Sequence, residues 1–303
     1  MSLSQTIRLV AALGLGATAL TVVGLAAPAQ AGVADTRPAC LTPTPNARIV
    51  AARGGATGLD HRDISAAEQR AIMRRANSRL AAQGLSGRGR VGLVARTVPV
   101  YVHVMRDAQG HGNVTDAQIS QQIAVLNRAF VNLDFSFNLI DVTRHYDTAW
   151  HNDQQSVRYR SLTRQGGVNA LNIWLVDFRN LGIATFPWDT PRAIDGIRIN
   201  YDSLPGGSIV HYNEGGTVVH ETGHWLGLFH TFQGGCTRLN DQVDDTPAQS
   251  TPTTGCPAQR DSCRLPGEDP FHNYMDYSWD SCYQEFTAGQ GGRINMMWTA
   301  YRA

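Results

Sequence analysis

Four residues of this 303-residue chain have types and spacing that could carry chemistry: His220, Glu221, His224 and His230. His220 and His224 are four apart, so on a helix both imidazoles share one face and can offer two neutral nitrogens to one metal ion. Glu221 follows the first His and projects beside that ion, where it can hold a water. Gly227 can take a left-handed conformation that a Cβ resists, so the chain can turn there and bring His230 round as a third ligand. Three His leave one tetrahedral position open, the arrangement of a catalytic zinc site rather than a structural one. Two polar residues on a solvated helix face would account for a bare H-E-x-x-H. They do not account for the full H-E-x-x-H-x-x-G-x-x-H set among Val218, Val219, Trp225, Leu226, Leu228 and Phe229.

That long pattern is the metzincin zinc signature, which requires a Met-turn downstream. Asn273-Tyr274-Met275-Asp276-Tyr277 supplies it, with Met275 expected as an apolar floor under the imidazoles and not as a ligand. Further words narrow the family: His230-Thr231-Phe232-Gln233-Gly234-Gly235-Cys236, Asp244-Asp245-Thr246-Pro247, and Phe286-Thr287-Ala288-Gly289-Gln290. Together they resemble the pappalysin (cytophagalysin) family of metzincins, and among its members the small ulilysin-type peptidases. The resemblance runs from about Val98 to the C-terminus and is strongest from Thr217 to Gln290.

The resemblance implies an α+β metzincin domain. A twisted, mixed, mostly parallel sheet of about five strands packs on two long helices, and an irregular, disulfide-stapled C-terminal lobe follows. It implies zinc-dependent hydrolysis of peptide bonds in proteins, with Glu221 as general base and Tyr277 steadying the tetrahedral intermediate. Asp276 is expected to orient a ligand or the turn. Ulilysin-like members favour an arginine just after the scissile bond, and Asp280 is the acidic residue expected to meet it. Four cysteines allow three pairings; the resemblance implies Cys236–Cys263 and Cys256–Cys282. Asp241, Asp244, Asp245 and Thr246 crowd oxygen ligands into a few residues, which suits calcium as well as it suits turn capping; calcium-binding relatives favour calcium, with Asp241, Asp244 and Thr246 as ligands. A rival reading is a secreted binding protein that keeps the scaffold without turnover. Such a protein would be expected to lose its general base, and Glu221 is present.

Composition is globular and the net charge is +1, so nothing points to a nucleic-acid partner. All the basic residues are Arg, which leaves no lysine for Schiff-base chemistry. Residues 1–31 read as a secretory signal: Arg8, an apolar run, then an Ala29-Gln30-Ala31 cleavage site. The expected product is secreted and extracellular, with no membrane insertion after signal removal. Residues 32–90 read as a pro-segment and 91–303 as the catalytic domain. Cys40 is the odd thiol, and its thiolate could fill the open zinc position as a latency switch; the resembled family uses one too. Gly87-Arg88 and Gly89-Arg90 lie in a stretch suited to proteolytic nicking, and an arginine preference would make them self-cleavage sites.

The positioning elements are legible in outline. Ser65 with Glu68 caps a pro-segment helix over Ala66–Ala82, ended by Gly84. Alternation over 97–104 predicts a strand with Val98, Val100, Val102 and Val104 on one face. Thr115 with Gln118 caps a helix burying Ile119, Ile123, Leu126 and Phe130. Strands follow at 135–142, 170–176 and 195–201, with a short helix at 153–164. Residues 182–188 predict an exposed edge strand, the place where the resembled family binds substrate backbone. The metal-bearing helix is expected over 213–228. A last helix starts at Thr287, with Gln290 at its third position and Ile294, Met297, Trp298 and Tyr301 inward.

Overall fold

A computed structural model of the chain describes residues 49–50, 57–58, 64–85 and 94–303. The signal segment, Cys40, Arg88 and Arg90 lie outside the described residues. A short antiparallel pairing joins β1 (Ile49–Val50) and β2 (Thr57–Gly58). The main sheet is built on β3 (Arg96–Arg106), whose Val98, Val100, Val102 and Val104 are all buried, as period-two alternation requires. β4 (Phe135–Tyr146) and β5 (Leu171–Val176) flank β3 in parallel, and β7 (Ile197–Asn200) runs parallel to β5. β6 (Gly182–Ala184) closes the edge antiparallel to β7, so the order is β4-β3-β5-β7-β6. This is the mixed, mostly parallel five-stranded sheet expected.

α2 (Asp116–Phe130) begins at the Thr115–Gln118 capping box and buries Ile119, Leu126 and Phe130. It shares one face of the sheet with α5 (Gly216–Trp225), and the main core lies between them and the strands. On the opposite face lie α3 (Thr148–His151) and α4 (Ser156–Thr163), with Met105, Tyr159 and Trp174 packed together there.

Three elements are shorter than expected, each for a local reason. α5 starts only at Gly216, because Gly215 is left-handed (φ 94°), and it ends before Gly227 (φ 101°). α4 starts at Ser156 because Asp153 and Gln155 both have positive φ. β6 stops at Ala184 because the chain folds into a turn, with Phe186 N–H donating to Asp189 Oδ2 and Asp189 N–H to Phe186 O.

After His230 the chain is irregular until α6 (Ala288–Tyr301), and the disulfides Cys236–Cys263 and Cys256–Cys282 staple it as the resemblance implied. α6 starts at the Thr287–Gln290 capping box and buries Ile294, Met297, Trp298 and Tyr301. α1 (Ala66–Ala82) has its Ser65–Glu68 box and buries Ile72, Ala76 and Leu80 against Phe186, Phe229, Met297 and Tyr301. Gln83 Nε2 donates to Thr299 O, and the Arg79 guanidinium lies over the Tyr301 ring.

Candidate metal centre and cleft

α5 is buried along its whole length, an unusual place for two His and a Glu. The rings of His220 and His224 are held by hydrogen bonds that also settle their tautomers. His220 Nδ1 lies 2.6 Å from Tyr274 O, and His224 Nδ1 lies 2.9 Å from Leu228 O. A carbonyl can only accept, so both Nδ1 atoms donate and both Nε2 atoms carry lone pairs. Those Nε2 atoms converge: His224 Nε2 is 3.1 Å from His220 Nε2 and 3.1 Å from His230 Nε2. The lone pairs of His220 and His224, aimed at one point in a buried site, repel unless a cation stands between them. The donor set therefore fits a metal ion, and nitrogen-only ligation suits zinc. Among the described residues these three His are the one group of three or more His, Cys, Asp or Glu that could share a metal.

Both carbonyls come from turns. Gly227 carries the chain round after α5, as expected, and a Cβ there would lie 2.7 Å from Met297 Cγ. Met275 is fully buried and lies under the helix, where a Cβ on Gly223 would collide with its Sδ. The Met-turn is pinned by Asn273, whose Oδ1 accepts from Met275 N–H, and by Met275 O, which accepts from Thr231 N–H. Asp276 is wholly buried and takes N–H bonds from Thr253 and Tyr277 and an amide bond from Gln249. It thus orients the turn, and burial holds its carboxyl above the usual range. Aromatic rings enclose the His cluster: Phe232 stacks on His230 at 4.6 Å, Phe186 meets His224 edge-on, and Tyr277 lies 4.8 Å from the His230 ring.

Glu221 is buried beside this cluster and pressed against the edge strand, where a Cβ on Gly182 would lie 2.5 Å from its Oε1. Sequence reasoning missed Gly182; only its membership of an edge strand hinted at it. Glu221, His220, Tyr277 and Asp280 line one pocket together with Leu181, Tyr212, Thr217 and Tyr283.

Asp280 is thus brought to the pocket as expected, and it has a second task. Its Oδ2 accepts N–H bonds from Glu214 (2.8 Å) and Gly216 (3.1 Å), which caps α5. Its Oδ1 is buried without a hydrogen-bond partner, and burial pushes the carboxyl up to about 6. The pocket has a volume of about 20 Å³, room for about one water. An arginine side chain would have to move a lining ring to enter.

The expected oxygen cluster is dispersed. Asp244 and Asp245 are exposed, and Asp245 caps α6 by accepting from Gly289 N–H and Thr287 Oγ1. Asp241 is buried, and its Oδ2 and the Thr246 Oγ1 have no hydrogen-bond partner. Sequence reading also missed a latch behind α5. The Arg302 guanidinium grips both oxygens of Asp195 and donates to Trp225 O, the last residue of the helix.

The peptidase M43 family model, described as pregnancy-associated plasma protein-A, matches residues 169–298. An extracellular metalloprotease of Colletotrichum graminicola is 45% identical over 219 residues, spanning 68% of this chain and 78% of that protein. One of Verticillium alfalfae is 47% identical over 221 residues, spanning 68% and 77%. Among solved structures, mature mirolysin of Tannerella forsythia in complex with a cleaved peptide aligns with a TM-score of 0.60 at 27% identity, covering 69% of this chain and 96% of that one. A promirolysin mutant aligns with a TM-score of 0.63 at 28% identity, covering 76% and 89%.

Proposed function

Since the chain belongs to the peptidase M43 (pappalysin) family of metzincins and is a zinc metalloendopeptidase, we propose that it is secreted as a zymogen and cuts proteins with His220, His224 and His230 as its zinc ligands. The observation that carries the ligand assignment is the convergence of three His Nε2 atoms, with His224 Nε2 at 3.1 Å from each of the other two. Secretion is supported by the extracellular relatives and by the signal-like residues 1–31.

Zinc bound there supplies Lewis acidity to the attacking water and the scissile carbonyl. Glu221 takes the proton of that water and passes it to the leaving amine. Its burial against Gly182 excludes bulk water from the carboxylate and fixes its reach. Tyr277, which lines the same pocket beside His220 and His230, donates its hydroxyl to the developing oxyanion. The substrate backbone adds to the open edge of β6. Asp280 Oδ1 meets the residue after the scissile bond, with arginine preferred once Tyr212 or Tyr283 rotates aside.

Residues 32–90 form the pro-segment and 91–303 the enzyme. The docking of α1 on α6, and the greater share of this chain matched by promirolysin than by mature mirolysin, support a zymogen. Cys40 is proposed as the latency ligand, outside the described residues. Calcium is proposed at Asp241 and Thr246 with Asp244 nearby, supported by the two unpartnered oxygens.

The test uses secreted protein and a mixed peptide library, with and without chelator, and with Glu221→Ala. Chelator-sensitive cuts before arginine, lost in Glu221→Ala, are expected. Cuts that persist in Glu221→Ala would remove the general-base assignment. Cuts without arginine preference would remove the role of Asp280.

A further inference from the structure

By position α1 belongs to the pro-segment, yet it is packed as a part of the enzyme. Ile72, Ala76 and Leu80 stand four apart, so they form one stripe along the helix. That stripe is buried in a single cluster with Phe186, Phe229, Met297 and Tyr301 of the catalytic domain. None of the residues that line the pocket at Glu221 comes from α1. The helix therefore covers the chain just after the Gly227 turn and leaves the cleft alone.

Polar contacts tie the helix down along its length. Ahead of its first turn, Gln233 Nε2 donates to Ile64 O at 2.7 Å, and Gln242 Nε2 donates to Oε1 of the buried Gln69 at 3.1 Å. At its middle, Met73 Sδ accepts from the buried Arg293 guanidinium at 3.4 Å, and Arg293 Nε donates to Gly227 O at 2.8 Å. At its end, Gln83 Nε2 donates to Thr299 O at 3.3 Å. At the start of β3, Arg96 Nη2 donates to Thr299 Oγ1 at 3.3 Å. The elements on either side of residues 86–93 are thus held on one residue of α6.

None of these contacts depends on the peptide bonds between residues 86 and 93. Loss of α1 would uncover Phe186, Phe229, Met297 and Tyr301 together, an apolar face of the kind that marks an interaction surface. We propose that this face is a lasting docking surface for α1: after the cut between pro-segment and enzyme, the helix stays bound as a non-covalent second chain. The proposal rests on the zymogen reading. Release of Cys40 then calls for a second cut, ahead of Ile64, and Arg48, Arg53 and Arg62 stand there for an enzyme that cuts before arginine.

The test uses full-length Glu221→Ala protein with a recognition site for a sequence-specific protease inserted between Gly87 and Arg88. It is cut in the presence of chelator, so that no bond from a thiolate to a metal can hold the piece, and then passed through gel filtration with mass spectrometry of each peak. The piece that carries α1 is expected to co-elute one-to-one with the remainder and to separate only in denaturant. Ala76→Arg, which drives a charge into the buried stripe, should release it. Asn77→Arg, the same charge at an exposed neighbour, should not. Where Ala76→Arg gives no folded protein, Leu80→Ala is measured instead and should weaken retention about 30-fold or more. Elution of the parent piece apart from the remainder overturns the docking surface, and so does co-elution undiminished by Ala76→Arg or Leu80→Ala. The zymogen reading fails separately, if active secreted protein keeps residues 32–90 joined to the rest, and the engineered cut remains readable.

Discussion

Replacing Gly182 by alanine should separate catalysis from folding. Gly182 lies in β6 outside the left-handed region, so alanine meets no backbone strain there. Gly→Ala at a compatible position stabilises by about 0.4–1 kcal/mol through the unfolded chain. The new Cβ, however, would lie 2.5 Å from Glu221 Oε1 and 2.7 Å from its Cδ. Ordinary contact begins near 3.4 Å, so the carboxylate must retreat by about 1 Å, a misplacement that can cost about 100-fold in rate. A general base contributes about 10²–10⁴-fold in all. We therefore expect kcat/KM to drop about 10²–10³-fold, or about 3–4 kcal/mol of transition-state stabilisation. The three His are not displaced, so zinc occupancy should remain full. The assay is kcat/KM on a quenched fluorescent peptide, with zinc content and Tm measured on the same preparation. In the Glu221→Ala background, Gly182→Ala should add almost nothing, because both changes act on one group. Activity within threefold of the parent, at full zinc and unchanged Tm, would refute the placement of Glu221 against the strand.

Four further outcomes follow from the same geometry. Asp280 titrates near 6 because it is buried, so its charge is present above that pH and lost below it. The preference for arginine over leucine should be strong at pH 8, collapse as pH falls through about 6, and be flat in Asp280→Asn; a flat parent profile counts against Asp280. The same raised pKa means that the folded form holds the proton more tightly than the unfolded chain, so this group's stability contribution is fullest below pH 4. It declines as pH rises to about 6, by roughly 3 kcal/mol in all, a slope that Asp280→Asn should remove in urea titrations. Met275→Ala should cost about 2–5 kcal/mol as a cavity under α5 and weaken zinc retention against a competing chelator; unchanged retention would deny it a role as floor. Asp195→Ala leaves the Arg302 charge buried and should cost about 3–5 kcal/mol; a loss below about 1 kcal/mol would mean that the latch at the end of α5 carries little.

What could be read from the sequence was local. The three capping boxes, the alternation of β3 and the His spacing each depend on residues within a few positions, and all three recur in the structure. The disulfide pairing could not be derived that way; it was implied by the family words and is what forms. What escaped reading depends on neighbours far apart in the chain. Nothing near Gly182 announces that Glu221 will press on it, and nothing near Arg302 announces Asp195, 107 residues earlier. Oxygen density around Asp241 predicted ligands without their directions, and Asp245 turned outward to cap α6. Asp280 was expected for its charge alone, but the fold gives one oxygen to the start of α5 and leaves the other buried without a hydrogen-bond partner.

That division explains why the metal centre is more than a helix with two His. A 3.6-residue repeat places His220 and His224 on one face, but it does not choose which ring nitrogen carries the proton. Tyr274 O makes that choice for His220 and Leu228 O makes it for His224. The first carbonyl belongs to the Met-turn and the second to the turn made by Gly227, and both turns are packed against methionine side chains that are not themselves ligands. Met275 fits only because residue 223 is glycine, and Gly227 fits only because it lacks a Cβ against Met297. Gly223→Ala should therefore damage the centre without touching a ligand: it drives a Cβ into Met275, tilts the Tyr274 carbonyl, and loosens the tautomer of His220. Zinc affinity should fall about 10–100-fold, the usual cost of losing an outer partner of a metal ligand. Nitrogen-15 shifts of His220 in the metal-free protein should show Nε2 gaining proton occupancy. Unchanged affinity and unchanged shifts would mean that the helix alone holds the site.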